Sequence, residues 1–216
     1  FGYESLSLIT SGSYNSGFGA RSLKRVTSGG ANVGLGSFAL QGLTTGSNNV
    51  GIGYNAGGSL TTPTSNTLIG YSAGSLLVSG TRNTIMGYTA GDAMGGNGFN
   101  YTVILGSFGL GSATNNCDST TVVGDAAAGG TAGISAAVII GQGAGYDATS
   151  SGAVAIGVNA LAVATGVKLV AVGYLAGQSN TTGANNTYIG SEAGRYKTTG
   201  FNSTYVGSNS GYSAGV

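Results

Sequence analysis

The chain has 216 residues, of which 44 are glycine, one is proline and only 6% are charged, with a formal net charge of +1. A chain this neutral offers no electrostatic attraction to nucleic acid or to an anionic membrane. It has no run of eighteen apolar residues to span a bilayer, and its single cysteine excludes a disulfide within the chain.

Glycine at this level without order would suggest low complexity, but here it is periodic. Nine-residue copies recur along the chain: Asn49–Gly57, Asn66–Gly74, Asn83–Gly91 and Asn186–Gly194. Their central glycines form a series from Gly2 through Gly19, Gly36, Gly53, Gly70, Gly87, Gly106, Gly124, Gly141, Gly157, Gly173 and Gly190 to Gly207. The spacing is 17 residues with excursions from 16 to 19. A fixed period of this length signifies a repeat architecture. The expectation is one domain over residues 1–216, built of 13 coils. No signal peptide is visible, and the chain opens inside a repeat at Phe1-Gly2 and closes just after one, so it reads as a piece of a longer polypeptide.

With each central glycine taken as position 0, every coil follows the same order. Position −3 is Thr or Val from Val33 to Thr204, preceded by Ser16. Position −1 is always a larger apolar residue, from Phe1 and Phe18 to Ile189 and Val206. Position +3 is Ala, Ser or Gly throughout. Residues two apart share one face of a strand, and β-branched residues suit that setting. A short strand over −4 to −1 is therefore expected, with −1 and −3 facing an interior and a turn at the glycine. Position −2 then points outward. Its apolar stretch Leu68, Ile85, Ile104, Val122 and Ile139 is predicted to be an inter-chain row, because so much exposed aliphatic surface calls for a cover. A second strand is expected about seven residues after the glycine, at Ile9, Val26, Leu43, Leu60 and Leu77, the first four standing before Thr-Ser or Thr-Thr pairs and all five before a turn residue.

Strand, turn, strand, turn in seventeen residues describes an all-β parallel solenoid, with equivalent strands stacked about 4.8 Å apart. The −4 column (Asn15, Asn32, Asn49, Asn66, Asn83 and Asn186) can hydrogen-bond along the stack. So thin a coil buries few side chains, so association between chains is expected to supplement it.

The stretch Ala153-Val154-Ala155-Ile156-Gly157-Val158-Asn159-Ala160-Leu161-Ala162 resembles the S-V-A-I-G-x-x-A-x-A head repeat of YadA-like trimeric autotransporter adhesins. Val170–Ala176 is similar. The seventeen-residue N-T-x-I-G-Y-x-A-G form more closely resembles repeats of phage and virus tail-fibre proteins. The resemblance covers essentially the whole chain. It implies a left-handed β-roll, three chains around one axis as a homotrimer, an extracellular or virion location, and attachment to a host surface glycan or receptor. The coils here are longer than the adhesin repeat, and the second Ala is often Gly.

The sequence holds no histidine, and its six acids form no close pair for acid–base work. No zinc or calcium spacing is present, and no cofactor is expected. Ile69–Gly74 also resembles one hexapeptide of the left-handed β-helix acyltransferases, but one per seventeen residues is a third of what that fold uses. Rows of threonine raise an ice-binding solenoid as an alternative. Tyr54, Tyr71 and Tyr88, at +1 in successive coils, are candidates either for an aromatic ladder or for a glycan platform. Asn100, Asn180, Asn185 and Asn202 open glycosylation sequons, and Cys117 reads as a free thiol in a loop. The function expected is non-catalytic: a structural segment of an attachment fibre.

Overall fold

The computed structural model describes residues 2–92, 99–110, 117–130 and 134–212. Each central glycine from Gly19 onward closes a three-residue strand. In chain order these are Ser16–Phe18 (β1), Val33–Leu35 (β2), Val50–Ile52 (β3), Thr67–Ile69 (β4), Thr84–Met86 (β5), Val103–Leu105 (β6), Thr121–Val123 (β7), Val138–Ile140 (β8), Val154–Ile156 (β9), Val170–Val172 (β10), Thr187–Ile189 (β11) and Thr204–Val206 (β12). They form one parallel sheet in sequence order. Equivalent positions face each other throughout, as in Thr67↔Thr84 and Leu68↔Ile85. The fold is an all-β solenoid of about seventeen residues per turn.

The facing of the strands is the reverse of the expectation. Position −2 points into the coil, and −1 and −3 point out. Leu68, Ile85, Ile104, Val122 and Ile139 are all fully buried within their own chain and form part of its core. They cannot be an inter-chain row. Outside lie Phe18, Leu35, Met86, Leu105, Ile140, Ile189 and Val206, all exposed. Alternation of side chains defines two faces but leaves open which one is inner. Here the inner choice is set by the opposite wall of the coil, where positions +3, +4 and +7 supply Ala39, Leu40 and Leu43, or Ala73, Gly74 and Leu77, all buried.

That wall is not a second strand. From +1 to +6 the backbone is a chain of turns, and positions +2, +4 and −5 carry positive φ coil after coil. Phe38 (63°), Leu40 (50°) and Asn48 (59°) are one set, and Asn55 (54°), Gly57 (61°) and Ser65 (61°) the next. For a residue with a Cβ this conformation costs about 1 kcal/mol or more. It is retained because it aims successive N–H groups at neighbouring coils. Phe38 N–H donates to the Ala20 carbonyl of one neighbour (2.9 Å), Leu40 N–H to Ala56 of the other (2.9 Å), and Thr44 N–H to Thr61 (2.7 Å). The turn side is thus hydrogen-bonded from coil to coil as the strand side is, and a second strand is not needed to satisfy the backbone.

The asparagine column does what its spacing suggests. Asn49 N–H and Nδ2 both donate to Asn32 Oδ1, at 2.9 and 3.1 Å, and Nδ2 also donates to the Pro63 carbonyl at 2.8 Å. Asn49 Oδ1 in turn accepts from Asn66 N–H and Nδ2. Each inner amide is buried yet fully bonded, which is the condition for burying it at all. Further along, Thr102 and Thr120 replace asparagine and donate to the carbonyls of Cys117 and Ile134. Cys117 is fully buried among the core residues rather than in an exposed loop. At β11 the inner residue is Tyr188, whose hydroxyl accepts from Asn180 Nδ2 at 2.7 Å. Burial holds that hydroxyl protonated above the ordinary tyrosine range, opposed by the Asn180 hydrogen bond.

Gly70 shows why position 0 is glycine. Its φ is +135°, and a Cβ there would overlap the carbonyl of Gly87 in the next coil. Gly207 has φ +114° with no atom within 4 Å of the same point. Gly70→Ala is expected to lose roughly 3 kcal/mol of stability and Gly207→Ala roughly 1. Chemical denaturation of both variants checks this, and equal losses would remove inter-coil contact as the reason for the column.

Candidate functional site

The outer surface, not a cleft, carries the candidate features. Tyr54, Tyr71 and Tyr88 each sit one residue past the central glycine, where the chain leaves the sheet, and are about half exposed. Their spacing follows from the coil repeat. Tyr54 and Tyr71 stack with ring centroids 5.2 Å apart and planes at 14°, and Tyr71 and Tyr88 at 5.3 Å and 18°. Phe38 and Phe108 meet the ends of the stack in T-shaped contacts at 80° and 71°. Both faces of Tyr71 are therefore occupied by neighbouring tyrosines. The flat faces that a sugar ring would stack on are turned inward along the ladder, and ring edges are left outward. This is the geometry of a stiffening ladder, each contact worth about 0.5–1.5 kcal/mol.

One row of threonines does not offer a free array of hydroxyls, whereas Thr67, Thr84, Thr121, Thr187 and Thr204 at position −3 point outward. Thr10, Thr27, Thr44 and Thr61 each donate Oγ1–H to the carbonyl of the equivalent residue in the next coil, at 2.9, 3.3, 3.0 and 3.3 Å. Thr181 does the same to Thr198. Their role is coil-to-coil stitching.

Charged side chains are few and dispersed. Glu4 accepts from Lys24 Nζ (2.7 Å) and Arg21 Nε (2.9 Å), and these bonds, Lys24 first, hold its carboxyl below the ordinary glutamate range. Glu192 pairs with Arg195 at 2.9 Å. Asp118 accepts from Asn100 N–H at 2.7 Å and so continues a polar column, while Asp125 and Asp147 are exposed. Among the described residues, no three His, Cys, Asp or Glu side chains gather where a metal ion could sit. A cavity of about 340 Å³ beside β1 is lined by Leu6, Asn15, Ser16, Gly17 and Phe18, none of them titratable. Of the sequon asparagines, Asn180 is buried against Tyr188, whereas Asn185 and Asn202 are exposed neighbours.

The feature missed in the sequence is the outer face of the sheet. Positions −1 and −3 of β1 to β12 form two adjacent columns, the first of Val, Ile, Leu, Met and Phe, the second of Val and Thr with Ser16 at its start, only partly covered. Eleven strand steps of about 4.8 Å make this face roughly 50 Å long. No Lys, Arg, Asp or Glu interrupts it. Among the described residues, no helix is long and apolar enough to cross a membrane. Comparison with protein-family models, with curated proteins and with solved structures gives no match.

The ladder has an internal control. Tyr174 occupies the same +1 position but is flanked in its column by Val158 and Ser191. Tyr71→Ala is expected to lower stability by about 1–3 kcal/mol, for the loss of two ring contacts, and Tyr174→Ala by less than about 0.5 kcal/mol. Thermal melting of the two variants side by side checks this.

Proposed function

We propose that this chain is a non-catalytic structural segment of an extracellular attachment fibre, associating with copies of itself through the apolar outer face of its sheet. The observation that carries this reading is the uninterrupted charge-free face along β1 to β12. Its −1 column is apolar in every strand, a strip of the kind that marks an interaction surface, and the other described elements leave it only partly covered. A second copy is the fitting partner because the face is itself periodic. Two or three identical rods meet with every coil in equivalent contact, and closed symmetry repeats each contact at no further design cost. Three chains around one axis, the arrangement implied by the resemblance to adhesin and tail-fibre repeats, would place the face of each chain inward.

Attachment follows from that resemblance and from the shape. A stiff rod with its side chains repeated along its length suits a shaft or a head bearing many equal contacts. A host glycan or receptor would be met by outward side chains at the margins of the buried face. The aromatic ladder would serve stiffness first, as its stacked faces suggest.

The test is oligomeric mass. The parent chain should sediment as a multiple of its monomer mass, three being the expected number. Glu in place of Leu105 and Ile140 should shift it to monomer, with the β circular-dichroism spectrum retained. A parent chain that is monomeric at every concentration measured would refute the proposed association.

A further inference from the structure

Inside the solenoid, position −2 of each coil lies over position +4 of the coil before it, and the two share one volume. Near the start of the chain the large member is at +4. A Cβ on Gly34 would stand 3.0 Å from Leu23 Cγ, and one on Gly51 2.6 Å from Leu40 Cγ. Over the next three coils the sizes exchange, with Gly57, Gly74 and Gly91 set against Leu68, Ile85 and Ile104; beyond them the pairing is looser, Leu110 and Val122 being both large and both buried. A Cβ on Gly57 would stand 2.5 Å from Leu68 Cδ1, and one on Gly74 3.1 Å from Leu68 Cδ2 and 3.5 Å from Ile85 Cδ1. Toward the end the large member is tyrosine, and a Cβ on Gly177 would stand 2.7 Å from Tyr188 Cδ2. In the seventeen-residue coils an interior at crystal-like density has little room for two large residues at such a contact; at Leu110 and Val122, in an eighteen-residue coil, a glycine, Gly109, stands beside the pair.

We propose that this exchange of volumes is a length code in the regular seventeen-residue coils from Gly19 to Gly87: whole coils can be lost or gained on either side of the Leu40–Leu68 boundary, but not across it. The backbone itself imposes no such limit. Strand pairing and turn hydrogen bonds are equivalent from coil to coil. The asparagine column runs unbroken from Asn15 to Asn83, through both sides of the Leu40–Leu68 boundary. The inner volumes are what distinguish one coil from the next. A gene for such a rod could change its length in seventeen-residue units at permitted places and keep the fold. The inference stands on core geometry alone and is independent of what the rod attaches to.

Two deletions of equal length test it in the full chain. Removing Val33–Asn49 sets Gly51 over Leu23, a permitted pair. Removing Val50–Asn66 sets Leu68 over Leu40, a forbidden one. The first variant is expected to melt within about 3 °C of the parent and the second at least about 5 °C below it. Leu40→Gly then supplies a sign test. It should lower the melting temperature of the parent, where it empties a filled site, and raise that of the Val50–Asn66 deletion, where it relieves the crowding. If that deletion does not fold at all, folding restored by Leu40→Gly supports the code and failure to restore it refutes the code. Equal melting of the two deletions, or a Leu40→Gly effect of the same sign in both backgrounds, would also overturn it.

Discussion

Each coil of this protein is held by its neighbours. The backbone groups of a coil bond mainly to the coil on either side. They do so through the parallel strands at one wall and through turn N–H groups such as those of Phe38, Leu40 and Thr44 at the other. Side chains follow the same rule, in the asparagine column, in the threonine hydroxyls and in the tyrosine ladder. Everything else follows from this stacking constraint. Glycine is needed at position 0 because the next coil's carbonyl lies where a Cβ would be. Phe38 and Leu40 adopt positive φ because that conformation points their N–H groups along the stack.

The period, the parallel pairing, the glycine column and the asparagine ladder were all legible in the sequence, because each is a same-residue, same-position signal. The inside and the outside were not. The row at −1 is bulky and apolar in every coil and so resembles a core, while the row at −2 runs from Gly17 to Leu68 to Tyr188 and so resembles a surface. The reverse holds because the interior is filled jointly. In the coils from Gly19 to Gly87 the −2 residue varies widely while +4 varies against it. That correlation, Gly51 with Leu40 and Leu68 with Gly57, was present in the sequence and is the signal that would have settled the facing. The missing second strand has a different cause. Val26, Leu43 and Leu60 do point inward as a strand would require, but the backbone before them turns on positive-φ residues, and of these Arg21, Leu23, Phe38 and Leu40 are types that do not advertise it. Cys117 does lie outside the strands, but its burial was not legible, because its sequence neighbours Asn115, Asn116 and Asp118 are polar.

The corrected facing relocates the question of function. With Leu68, Ile85, Ile104, Val122 and Ile139 consumed by the core, what remains for a partner is the outer sheet face. This face is as regular as the fold, and regularity favours a partner of the same period. The stacked rings of Tyr54, Tyr71 and Tyr88 add rigidity along one margin of that face. The rod is stiffened in this way, and no charged residue interrupts the outer sheet face.

The facing of the sheet is the claim on which both the core and the proposed interface rest, and adjacent residues of β4 test it directly. Leu68→Ser and Ile69→Ser should be compared by thermal and chemical denaturation under identical conditions. The facing described here predicts a loss of about 3 kcal/mol or more for Leu68→Ser, which leaves a cavity and a buried hydroxyl. Ile69→Ser should cost clearly less. A larger loss for Ile69→Ser than for Leu68→Ser would mean that the sheet faces the other way.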